Sequence, residues 1–263
     1  MKSLPNLKPG ATGDTQEIAP GRFHSPSASV EARIPDKNCS RRGFLQTAAG
    51  GTLAGLLTAV GMECATPDSV QAQSTLSPDA ALQQLMNGNQ RFTSGRLTAF
   101  DEDLGILKQN TVEKQEPFAA VLSCADSRVP VELVFDQSIG HIFVTRVAGN
   151  VVTPEIIASL EYGAAVLGTK VILVMGHGNC GAVKATIQAK EVPGQISALY
   201  PHIQPAVDQA GSNLEAASKA NAKIQAALLR QASTVVAGLV KEGKLKVVAG
   251  YYDISSGSVT LLE

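Results

Sequence analysis

The sequence predicts an α/β fold, a mainly parallel β-sheet flanked by helices. Three observations carry it. Three short runs read as strands: 118–123 and 170–176 are continuous and apolar enough to be buried on both faces, the latter with Val/Ile content in support, and 142–147 is a strand between them. Segments with helix signals separate these runs. Polar clusters stand just past the carboxyl ends of two of the runs, where open α/β sheets place functional residues.

The elements follow in order. Ser77-Pro78-Asp79 reads as a helix start, a capping hydroxyl with Pro and an acid in the first turn. Leu82, Leu85, Met86 and Phe92 keep helical spacing behind it. The first strand ends at Ser123. The second covers 142–147. Thr153-Pro154-Glu155 opens a helix that Gly168 closes. The third strand ends at Gly176, and a helix follows from about Gly181. An Ala-rich stretch from about Asn213 to Lys241 reads as one long helix. A last strand spans 245–253, followed by a turn at Ser256-Gly257 and a short pairing strand.

The first seventy residues are a different material. Residues 1–38 carry Pro, Gly, Ser and scattered charge without apolar periodicity and read as a disordered extension. Residues 39–72 read as a signal of the twin-arginine type. Arg41-Arg42 precede an uncharged run from Thr47 to Met62, and Val70-Gln71-Ala72 offers a small-residue cut site. The expected address is the periplasm, with the twin-arginine export machinery as a partner. An uncleaved signal acting as membrane anchor is the alternative, although the run falls short of the roughly 20 residues of a spanning helix. Residues 73–263 form the folded domain.

Composition excludes some partners. The formal net charge of −1, from 22 basic and 23 acidic residues, shows no basic patch, so no nucleic acid is expected. The four cysteines, at 39, 64, 124 and 180, form no CxxC pair and do not read as a disulfide framework.

The chemistry sits in two clusters. Cys124-Ala125-Asp126-Ser127-Arg128 follows the first strand, and His177-Gly178-Asn179-Cys180-Gly181 follows the third. Neighbouring strand ends bring them to one point, offering two thiolates and an imidazole. That donor set suits zinc, with a fourth position left for water or for Asp126. A structural zinc, a buried inert cysteine and a Cys–His nucleophile pair are the competing readings. Asp126 and Arg128 are two apart, so an extended segment points both to one side. An acid beside a guanidinium stays ionised and is available as an acceptor. A plain surface ion pair is the alternative.

At these residues the chain resembles the β-class carbonic anhydrases, over roughly 77–263. The resemblance rests on Cys124 to Arg128, on Phe143-Val-Thr-Arg-Val-Ala-Gly-Asn150, on Ser159-Leu-Glu-Tyr162, on Gly176 to Gly181 and on Lys246 to Asp253. It implies reversible hydration of carbon dioxide to bicarbonate, with zinc held by Cys124, His177 and Cys180. Asp126 and Arg128 would be the catalytic dyad. It further implies a homodimer or dimer-based oligomer with active sites near the interface.

Gln115 resembles the substrate-binding amide of the plant-like, open-site branch, contributed from the partner's side. Phe143 and Tyr162 resemble pocket-lining residues, and Ala148 stands where that branch has Val. Another branch closes its site by placing the aspartate on zinc, helped by a Trp three residues before the first cysteine. Here that position is Val121, and the chain has no Trp. An open site with Asp126 paired to Arg128 and activity favouring neutral to alkaline pH are therefore expected. Hydrolases of carbon disulfide and carbonyl sulfide, and non-catalytic relatives, share the scaffold and are the alternatives.

Overall fold

The computed structural model describes residues 74–99, 104–112 and 114–263. The expected extension at 1–38 and the expected signal at 39–72 lie outside the described residues. Five strands form one sheet: β1 (Ala119–Ser123), β2 (Ile142–Arg146), β3 (Val171–His177), β4 (Lys246–Tyr252) and β5 (Val259–Leu262). Their order is β2-β1-β3-β4-β5, parallel through β4, with β5 antiparallel on β4. Every residue of β1 and β3 is buried, as the apolar runs required, whereas β2 at the sheet edge is half-buried.

Two apolar layers alternate along the strands. Ala119, Val121, Val171, Leu173 and Met175 face one side, packed with Leu85 of α1 (Pro78–Thr93) and with Val131 and Val134 of the short helix α3 (Val131–Val134). α2 (Leu104–Thr111) lies between α1 and β1 in the chain. Ala120, Leu122, Ile172 and Val174 face the other side. There they meet Leu160 of α4 (Pro154–Glu161), Ala222, Ala226 and Leu229 of α7 (Leu214–Ala232), and Val236 of α8 (Thr234–Lys241). α5 (Gly181–Ile187) and α6 (Tyr200–Ala210) complete the chain between β3 and α7. α7 approaches β3 so closely that a Cβ on Gly176 would stand 2.8 Å from the Ser218 carbonyl oxygen.

The strand order creates a switch point. The chain leaves β1 toward β2 on one side and leaves β3 toward β4 on the other, so the crevice between the carboxyl ends of β1 and β3 opens for a ligand.

One expectation is corrected. The stretch read as a single helix over 213–241 is two helices, α7 and α8, broken at Ser233. Ser233 Oγ accepts the Val236 N–H at 3.0 Å and donates to Glu161 at 2.6 Å, so the hydroxyl starts a new helix instead of continuing the old one. Helices α2 and α3 are additional to the expected elements, as is the π-type turn over Tyr162–Val166 that ends α4.

Asp136, whose side chain is fully buried, fastens the chain after α1 to the segment after α3. Its carboxylate accepts from Arg91 Nε at 2.5 Å, from the Thr98 N–H at 2.9 Å and from the Ala99 N–H at 2.8 Å. Burial pushes its pKa up, but these donors outweigh burial and the net direction is down. A depressed carboxylate contributes stability that is fully present above the ordinary Asp pKa of about 3.9 and is lost as pH falls through the lower folded value. Asp136→Asn removes the charge and strands Arg91. It is expected to cost about 3 kcal/mol in thermal unfolding at pH 7, with most of the gap to wild type gone in strong acid.

Candidate metal centre

The sheet delivers both polar clusters to the switch point. Cys124 follows β1 directly, and His177 ends β3, which is paired to β1 in register Ser123 with Met175. Cys180 sits one turn on, as the residue that caps α5. The Sγ atoms of Cys124 and Cys180 and a ring nitrogen of His177 lie within 4.8 Å of one another, and all three residues are buried.

His177 is 0% exposed, and its Nε2 has no hydrogen-bond partner. Its Nδ1 lies 2.9 Å from the Gly178 carbonyl oxygen. A carbonyl only accepts, so Nδ1 carries the proton and Nε2 is left with a free lone pair. A buried lone pair beside two sulfurs is costly unless a cation completes it. The donor set, soft sulfur with imidazole, fits zinc, and the Gly178 carbonyl is the kind of outer partner that fixes a ligating histidine. Both cysteines are free thiols. The hydrogen bond between them draws the Cys124 thiol down, with the Gly149 N–H helping against burial. The same bond, with burial, pushes the Cys180 thiol up.

Asp126 and Arg128 form a two-pronged pair. Arg128 Nε donates to Oδ1 at 2.9 Å and Nη2 to Oδ2 at 2.7 Å, and the Arg128 N–H adds a third bond at 3.0 Å. Arg128 holds the Asp126 carboxyl far below the usual carboxylate range. Arg128 Nη2 also donates to the Asn179 carbonyl at 3.1 Å, tying the first cluster to the second. Arg146, to which the sequence reading gave no role, donates to the carbonyls of Cys124 at 3.0 Å and Asp126 at 2.6 Å and so sets the path of the cluster. Its place at the end of an apolar strand, level with Ser123, is the signal that marks it.

The other singled-out residues separate into two groups. Ala148 is half-buried beside Gly149, whose N–H donates to Cys124 Sγ at 3.3 Å, so it borders the centre. Phe143 and Tyr162 stay with each other, ring centroids 6.4 Å apart. Phe143 stands three residues before the end of β2, roughly 10 Å along the strand. Gln115 is exposed at the amino end of β1, opposite the end that carries Cys124. One subunit therefore does not bring Gln115, Phe143 and Tyr162 to its own centre.

A mainly parallel α/β sheet with a buried Cys–His–Cys set at its switch point and a locked Asp–Arg pair beside it is the frame of a metal-binding protein with groups placed for chemistry. The family model described as "Carbonic anhydrase" matches residues 119–259. The chain is 34% identical over 194 residues to the carbonic anhydrase of Mycolicibacterium smegmatis, covering 70% of this chain and 93% of that one. It is 31% identical over 197 residues to carbonic anhydrase 2 of Mycobacterium tuberculosis, with the same coverage. The solved Coccomyxa β-carbonic anhydrase in complex with acetazolamide superposes with a TM-score of 0.55 at 26% identity, covering 69% of this chain and 86% of that one. The chain belongs to the β-class carbonic anhydrase family.

Proposed function

We propose that Cys124, His177 and Cys180 hold one zinc ion and that the chain uses it to interconvert carbon dioxide and bicarbonate. The observation that carries this reading is the partnerless, fully buried Nε2 of His177 facing two buried sulfurs beside the Asp126–Arg128 pair. Bound there, zinc would supply Lewis acidity for activating water near neutral pH. The protein's residues do the rest. Arg128 keeps Asp126 ionised and therefore acceptor-only, so the carboxylate takes a hydrogen bond from the nucleophile and turns its lone pair toward the substrate carbon. Ala148 offers an apolar wall to carbon dioxide. Two thiolates offset the charge of a divalent ion, so activity favours neutral to alkaline pH.

We further propose a dimer in which Gln115, Phe143 and Tyr162 reach the partner's centre. Tyr162 is 48% exposed and Val166 37%, an apolar surface beside the half-buried edge strand β2. Val121 and Gln115 favour the open-site branch.

Stopped-flow carbon dioxide hydration on the zinc-loaded protein, against chelator-stripped protein, tests the activity. Rapid, metal-dependent hydration is expected; none, with sulfide released from carbon disulfide instead, would move the chain to the sulfur-substrate reading.

We also propose export to the periplasm through Arg41-Arg42. That route carries folded proteins, so zinc would be loaded before Cys124 and Cys180 meet an oxidising compartment, where disulfides persist. Lys at both positions is expected to retain the enzyme in the cytoplasm; unchanged periplasmic activity would refute the route. Among the described residues no helix is long and apolar enough to cross a membrane, and the run from Thr47 to Met62 lies outside them.

A further inference from the structure

α7 turns mostly alanine toward the sheet, yet two amides one turn apart, Asn221 and Gln225, are 0% and 1% exposed. A buried amide is costly unless bonded, and each of the two sends one bond to the same short segment. Asn221 Nδ2 donates to the Gly149 carbonyl at 2.8 Å. Gln225 Oε1 accepts the Val152 N–H at 2.8 Å. Gln225 Nε2 donates to the His202 carbonyl at 2.9 Å and to Asn221 Oδ1 at 3.3 Å, which locks the two amides to each other.

The segment they grip is unusual. Gly149 and Asn150 both have positive φ, 76° and 44°, a tight left-handed turn that glycine adopts freely and asparagine tolerates. Ile203 closes the other side, since a Cβ on Gly149 would stand 2.7 Å from its Cδ1. The Asn150 N–H closes the turn onto the Val147 carbonyl at 2.9 Å. The product of all these constraints is the direction of one group, the Gly149 N–H, which donates to Cys124 Sγ at 3.3 Å.

We propose that Asn221 and Gln225 are positioning residues for the Cys124 thiolate. They hold residues 149–152 so that the Gly149 N–H stays on Sγ and draws charge from it. The sulfur then gives less charge to a bound metal, which keeps more of its Lewis acidity in a site where two thiolates would otherwise quench it. This rests on the metal-site reading above.

The test uses the full-length protein loaded with cobalt(II), whose thiolate-to-metal charge-transfer band reports how readily the sulfur gives up charge. Asn221→Ala is expected to move that band to longer wavelength and to lower hydration turnover about tenfold. Asn89→Ala is the control. Asn89 is also a buried amide, bonded to the carbonyls of Val134 and Gly257 and to the Val259 N–H. It is expected to lower the melting temperature without moving the band. Should Asn221→Ala fail to fold, Gln225→Met, equal in length and without polar atoms, decides by the same band. A band unmoved from wild type, or moved equally in Asn89→Ala, overturns the proposal. A wild-type protein with no such band overturns the metal site and this inference together.

Discussion

Replacing Cys180 with alanine is expected to strip the protein of zinc and to take carbon dioxide hydration to background. Three residues supply the bonds, each from a different point of the frame: Cys124 after β1, His177 at the end of β3 and Cys180 at the cap of α5. Four-ligand zinc sites bind with about 10–16 kcal/mol, which is roughly 3–4 kcal/mol per ligand and so about 10²–10³ in affinity for one lost bond. No other His, Cys, Asp or Glu joins the cluster among the described residues. Asp126 is held by Arg128, so it would have to leave three hydrogen bonds to take over. Metal analysis after dialysis checks the expectation. Full zinc occupancy in Cys180→Ala would remove the residue from the site.

Asp126→Asn is expected to retain zinc and still lose activity on the order of 10²-fold or more, the range of a lost acid–base group. Asparagine matches the shape of aspartate but sets an NH₂ where Oδ2 now accepts from Arg128 Nη2 at 2.7 Å. Donor would face donor, and turning the amide over only moves the clash to the Arg128 Nε and N–H that Oδ1 now accepts from, so the two-pronged pair breaks either way. Neither arrangement gives the charged acceptor that wild type keeps, since Arg128 holds the carboxyl well below the usual range. Because the role is orientation in the reaction and not metal binding, kcat and kcat/KM are expected to fall together at unchanged zinc content. Wild-type turnover in this variant would exclude Asp126 from the mechanism.

The sequence was legible where one physical signal acted alone. β1 and β3 are buried on both faces, so they had to be continuous apolar runs, and the runs stood out. The two clusters were legible because Cys, His, Asp and Arg directly after such runs have few uses but chemistry. Legibility failed where two signals competed. Around Ser233 the Ala-rich flanks outweighed the capping hydroxyl, and only Glu161, 72 residues earlier, shows why the helix breaks there. It failed again for Asn221 and Gln225. Their four-residue spacing on an alanine-rich helix face was visible, but their target, the turn at Gly149, lies 72 residues away from Asn221 and no local pattern points to it. Arg146 is an intermediate case, since its position at a strand end was plain but its carbonyl partners depend on the register of β1 with β2.

The central claim is a three-ligand zinc centre from which Asp126 is withheld by Arg128. A crystal structure near pH 7.5, with anomalous data at the zinc edge, tests it most directly. The expected result is one zinc peak bonded by Cys124 Sγ, His177 Nε2 and Cys180 Sγ, with the Asp126 carboxylate still paired to Arg128. No peak at these residues, or the Asp126 carboxylate at about 2.0–2.2 Å from the metal, would contradict it.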